Sequence, residues 1–91
     1  MLEEIKNFLD EHGKVHTWPS KMKKKIAVID YLATKFEEEL EYTEQEVNEI
    51  IDQWHTFSDY FILRRSLVEL NKLGRAKDGS KYWKIEDENE E

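Results

Sequence analysis

The 91-residue chain has no cysteine, so it can carry neither a disulfide framework nor thiolate chemistry, which fits a reducing interior. It has one proline and three glycines, Gly13, Gly74 and Gly79. None of them forms a glycine-rich loop that could cradle phosphate. No apolar run approaches the roughly 20 residues a membrane-spanning helix needs. The Met-Leu-Glu-Glu start is acidic where a secretory leader would be basic. The expectation is a single cytoplasmic domain with no membrane partner. Metal and cofactor motifs are missing too. His12 and His16 stand four apart, but Gly13 interrupts any helix that would align them, and no cysteine or carboxylate completes a ligand set. The glutamates are spread along the chain instead of being paired as an acid/base couple. No catalytic role is expected.

What the chain has in abundance is charge, unevenly placed. The net charge is −7. Residues 37–49 hold seven glutamates and no base, and residues 86–91 hold five acids. Residues 58–85 run the other way, with seven bases against three acids, and four lysines cluster at 21–25. Such blocks read as solvated faces around one basic surface.

Hydrophobic spacing organises the rest. Leu2, Ile5, Phe8 and Leu9 predict a helix over about residues 2–11, stopped by Gly13. Trp18 is extended because it precedes Pro19, and Pro19 suits the first position of a helix running to about Phe36. Met22, Ile26, Ile29, Ala33 and Phe36, with Leu32, form its stripe, and Tyr31 falls outside. After an extended link at 40–42, Thr43 and Glu46 make a capping box for a helix over about 44–55, with Val47, Ile50, Ile51 and Trp54 inward. A tight connector leads to a helix over about 59–72, capped by Ser58 or Asp59, cored by Leu63, Leu67 and Leu70 and ended by Gly74. Arg65, Lys72, Phe61 and Val68 project from the opposite side of that helix, with Arg64 on a flank. Asp78-Gly79 as a two-residue loop predicts a type I′ hairpin in which Arg75 opposes Tyr82, and a three-residue loop with a bulge at Gly79 would shift that register. Arg75, Lys77, Tyr82 and Lys84 then share one face, while Ala76, Trp83 and Ile85 pack inward. Together these elements predict an α+β, mainly α domain: a winged helix-turn-helix at 14–85, an accessory N-terminal helix at 1–13 and a disordered acidic tail at 86–91.

Several segments resemble the family catalogued as domain of unknown function 2087. They are Trp18-Pro19 followed by lysines, Tyr42-Thr43-Glu44 with Glu46-Val47-Asn48, and Asp59 ahead of Arg64-Arg65 with Leu67-Val68. Arg75, Asp78-Gly79-Ser80 and Tyr82-Trp83 complete the match. The similarity runs from Trp18 to Trp83 and implies a link to transcription, because members of this family occur alone or attached to helix-turn-helix regulators. It implies no catalytic residues.

Two functions fit the sequence. In the first, the chain binds double-stranded DNA, with Arg65, Lys72, Arg75, Lys77 and Lys81 as the contacts. In the second, the winged shape serves as a homodimerisation or protein-interaction module, docking another regulatory protein through Phe61 and Val68. Arg64 reads as a bridge to the glutamate-rich helix, and Arg65 as the free one. The N-terminal helix could also cover Phe61 and Val68 within the same molecule.

Overall fold

Helices dominate the computed structural model, which describes residues 2–86. Among these residues the order is α1 (Leu2–Ile5), a 3-10 helix (Lys6–Phe8), α2 (Met22–Ala33), β1 (Glu41–Tyr42), α3 (Glu44–Gln53), α4 (Tyr60–Glu69), β2 (Leu73–Arg75) and β3 (Tyr82–Lys84). This is a small, mainly helical α+β fold. No helix of the described residues is long and apolar enough to cross a membrane. The acidic stretch expected at 86–91 lies outside the described residues beyond Glu86.

The N-terminal helix is shorter than its spacing predicts. It ends at Phe8 because the next residues close a small loop. The Asp10 carboxylate accepts hydrogen bonds from the N–H groups of His12 (2.8 Å) and Lys14 (2.9 Å), and Leu9 bridges Val15 in antiparallel fashion. Val15 also laces this segment to the end of α3, donating to Trp54 O at 2.8 Å and accepting from Thr56 N–H at 3.0 Å.

The second helix starts three residues later than Pro19 suggests. Lys21 is extended and caps it, its carbonyl accepting from Lys25 N–H at 2.9 Å. Its buried stripe also differs from the 4-3-4-3 expectation. Val28, Ile29 and Leu32 are buried as expected or beside it, but Met22 is 60% exposed and Ile26 38%. Tyr31 is buried. Its hydroxyl donates to Gly13 O at 2.6 Å and its ring meets Trp54 edge-on. The reason is tertiary. α2 packs against both α1 and α4, and its buried residues run from Ala27 to Ala33, while Met22 lines an open cleft beside α4.

The third helix follows its sequence closely. Thr43 Oγ1 accepts from Glu46 N–H at 3.1 Å, and the Glu46 carboxylate accepts from Thr43 N–H at 2.9 Å. This is the capping box, which satisfies two orphan donors reciprocally. Val47 and Ile51 face inward. His55, just past the end of α3, is buried and used at both nitrogens. Nδ1–H donates to Ile51 O at 2.8 Å, and Nε2 accepts from Asp59 N–H at 2.9 Å. The imidazole therefore holds the end of α3 to the start of α4, with Phe57 packed edge-on at 4.8 Å.

In α4, Asp59 is the cap, accepting from Ile62 N–H at 3.3 Å. Leu63 and Leu67 are fully buried, each worth roughly 1.5–3 kcal/mol relative to exposure. The helix does not run on to Gly74. Asn71 adopts a left-handed backbone at φ 62. Lys72 N–H then bonds Leu67 O at 2.9 Å, and Asn71 N–H bonds Val68 O at 3.0 Å. This pair is a Schellman motif.

The three strands form one antiparallel sheet in the order β1-β3-β2. The link at 40–42 is thus a strand, and the expected two-stranded hairpin gains a third member. Arg75 does oppose Tyr82. The turn is not type I′, however. Gly79 N–H bonds Ala76 O at 2.9 Å, and of the two loop residues only Gly79 takes positive φ, at 77. The faces are the reverse of those expected. Leu73 and Tyr82 are buried, and Trp83 is 39% exposed. Trp83 lies across Gly74 on the outer face, where a Cβ at residue 74 would stand 2.3 Å from the indole. Gly74 is therefore a strand residue that admits a tryptophan, not a helix stop. Tyr82 can face inward because its ring packs in the core while its hydroxyl reaches a polar cluster at the edge.

Candidate interaction surface

One side of α4 faces the sheet and the start of α3, which brings three segments to one groove. Its cavity of about 320 Å³ is lined by Glu44 of α3, Phe61, Arg64, Arg65, Val68 and Glu69 of α4, and Arg75 and Tyr82 of the sheet. Their spacing explains the convergence. Residues 61, 64, 65 and 68 share one side of a helix at i, i+3, i+4 and i+7, and the Arg75–Tyr82 pair places two side chains on the facing strands.

The polar residues are wired together. The Tyr82 hydroxyl donates to Glu44 Oε1 at 3.0 Å and accepts from Arg75 Nε at 3.2 Å. The second oxygen of Glu44 faces Arg64 Nη2 at 3.8 Å. Arg64 also donates through Nη1 to Asn48 Oδ1, with its side chain only 13% exposed. Arg64 is thus the bridge to the glutamate-rich helix. Glu44 additionally lies in the first turn of α3, where the helix dipole favours a carboxylate. Arg65 lies outside this network, on the rim. It is mostly exposed and pairs with Glu69 one turn on, at 3.0 Å.

Phe61 is 55% exposed. The N-terminal helix packs on α2 and does not cover it. The Arg64 guanidinium stands 5.5 Å from its ring centroid. Val68 is partly buried against the core. Across the α4 ridge a second cleft of about 250 Å³ opens, where Trp18, Met22 and Ile62 meet the other side of Arg65 and Glu69.

Of the seven residues singled out from sequence, Arg65, Arg75, Phe61 and Val68 come together in the groove. Lys72, Lys77 and Lys81 do not line it. Lys72 was placed on the outer face of α4, but the helix ends at Glu69 and its phase is lost at Asn71. The ammonium instead meets Asp30 Oδ1 of α2 at 2.8 Å. That buried oxygen has no aligned hydrogen bond, so the contact is an ion pair by proximity. Lys81 pairs with Glu41 of β1 at 3.1 Å. Lys77 is exposed in the turn, beside Asp78, whose carboxyl is held below the usual carboxylate range by hydrogen bonds from the Ser80 side chain and N–H.

Sequence reasoning missed Glu44, Glu69 and Tyr82 as parts of this site. The Arg75–Tyr82 register was available from the hairpin, but Tyr82 was put on the basic outer face. Nothing local to Glu44 announces a partner 38 residues away.

The chain belongs to the family described as uncharacterized proteins conserved in bacteria, domain of unknown function 2087, whose model matches residues 14–84. The match spans the Trp18–Trp83 similarity. No curated protein and no solved structure matches the chain.

Proposed function

We propose that this chain is a non-catalytic winged helix-turn-helix module, associated with transcription, that works by protein contact through the outer face of α4. In this assignment α2, α3 and α4 are the three helices, and β1, β2 and β3 form the sheet and wing. The observation that carries it is Phe61. A large apolar ring lies more than half exposed in the first turn of the would-be recognition helix, where a groove reader presents polar groups to base edges. Exposed aromatics flanked by arginine are instead the residue types that anchor protein interfaces.

The state of the cations points the same way. Two of the five expected phosphate contacts are turned away from the groove, Lys72 to Asp30 and Lys81 to Glu41. Lys77 has no ion-pair partner among the described residues. Fold alone leaves function open, and DNA binding is the second reading. It is favoured by Arg65 and Arg75 facing one groove beside an exposed Lys77.

Titration against random duplex DNA separates the two. Several phosphate contacts would give an affinity that falls on the order of 10³-fold or more between about 50 and 200 mM salt. The protein-contact function expects no detectable binding at the lower salt. It also expects Phe61→Asp, folded by circular dichroism, to lose partners retained from nuclease-treated lysate, or to dissociate a homodimer seen by light scattering. Steep, Arg65-dependent DNA binding with no Phe61-dependent partner would overturn it.

A further inference from the structure

We infer that the groove between α4 and the wing takes an acidic peptide segment bearing one bulky apolar side chain, supplied by a partner protein. This rests on the protein-contact function above and specifies the partner's chemistry.

The groove has an apolar floor and a cationic rim. Phe61 and Val68 supply the floor, and three guanidinium groups stand against two carboxylates. One of those carboxylates is already partnered on both oxygens. Glu44 spends one oxygen on the Tyr82 hydroxyl and turns the other to Arg64. The other, Glu69, is held only by Arg65 in an exposed i,i+4 pair. Such pairs are weak enough for a ligand carboxylate to replace one partner.

The arginines are also held ready. Arg75 is fixed through Nε by Tyr82, and its Nη2 lies over Gly79, where a Cβ would come within 2.7 Å. Arg65 meets Glu69 through Nε, which leaves its two terminal nitrogens for another acceptor. A guanidinium is a rigid planar fork that fits a carboxylate in two parallel hydrogen bonds. Fixing it in advance removes part of the ordering cost of binding.

Long-range charge selects the same ligand. Residues 58–85 hold seven bases against three acids in a chain of net charge −7, and residues 37–49 hold seven glutamates. The groove lining carries Arg64, Arg65 and Arg75 against Glu44 and Glu69, a net positive surface in an acidic chain, and so favours an acidic segment over a basic one. A phosphate backbone would satisfy the rim but leave Phe61 with nothing to cover it.

Fluorescence anisotropy on the full chain tests this with three labelled probes. They are a short peptide with one leucine flanked by glutamates, the same peptide with lysines for the glutamates, and a random DNA duplex. The acidic peptide should bind, and Phe61→Ala and Arg65→Ala should each weaken it by about tenfold or more. Arg65→Lys should recover only part of the loss, because lysine keeps the charge without the fork. Circular dichroism checks that each variant is folded. No binding of the acidic peptide, or binding that both alanine variants leave unchanged, overturns the inference. If only the lysine peptide binds, and does so through Phe61, the partner's charge is wrong but protein contact at α4 stands. If only DNA binds, both fall.

Discussion

Replacing Tyr82 by phenylalanine removes one oxygen from the junction of sheet and helices. The ring is almost wholly buried, and Phe fills the same space, so the hydrophobic contribution is retained. What goes is a hydroxyl bonded to two charged groups, Glu44 at 3.0 Å and Arg75 at 3.2 Å. Hydrogen bonds to charged groups are worth roughly 1.5–3 kcal/mol each when the partner is left dry. Here both partners reach water: the Glu44 side chain is 45% exposed and Arg75 is an exposed residue. Rehydration should recover much of the loss, so Tyr82→Phe should cost about 1–2 kcal/mol in total. For a domain of this size each kcal/mol corresponds to about 4–8 °C in Tm. Urea unfolding followed by tryptophan fluorescence measures it, with Tyr82→Ala as the cavity control at roughly 3–5 kcal/mol. A double-mutant cycle with Glu44→Ala should show coupling of about 0.5 kcal/mol or more, because the two side chains share a bond. A Tyr82→Phe effect below about 0.3 kcal/mol, with additive behaviour in the cycle, would refute the claim that this hydroxyl ties the sheet to α3.

Thr43→Ala removes the side-chain half of the capping box and should cost about 1 kcal/mol in urea unfolding, while Thr43→Ser should be close to neutral. Asn71→Ala, at φ 62, should lose about 1 kcal/mol through left-handed strain, and Asn71→Gly should lose little or none. Asp10 provides a pH test. Its carboxyl lies below the ordinary range, chiefly through the hydrogen bond from Lys14 N–H and also that from His12 N–H. A lowered folded-state pKa contributes stability that is complete above the unfolded value near 3.9 and is lost as pH falls through the folded value. Asp10→Asn accepts the same bonds without titrating, so its Tm should fall less than that of the parent chain on acidification below about pH 4.

Local rules and tertiary placement divide the chain differently from one element to the next. The Thr43–Glu46 box was legible because its donors and acceptors lie within four residues, and the Leu63–Leu67 stripe because a helix with one covered side displays its period. The α2 stripe was not legible in the same way. The Gly13 loop and Trp54 cover Tyr31 on a second side of the helix, and no single-face pattern encodes a second covering element. The β2–β3 hairpin shows a sharper case. Its register was readable from the turn, but the inner face went to Tyr82 and not Trp83. With period two, that choice rests on which aromatic finds a polar partner for its heteroatom. Tyr82 finds one in Glu44, 38 residues earlier. Trp83 is accommodated outside because Gly74 leaves room for the indole. The same long-range contact explains why half of the groove was hidden. Phe61, Arg65 and Val68 could be placed on one side of α4 from their spacing. Glu44 and Tyr82, which set the positions of Arg64 and Arg75, enter only when α3 and the sheet close against that helix. A groove assembled from three segments thus exposes in sequence the residues that share an element and conceals the ones that hold them in place.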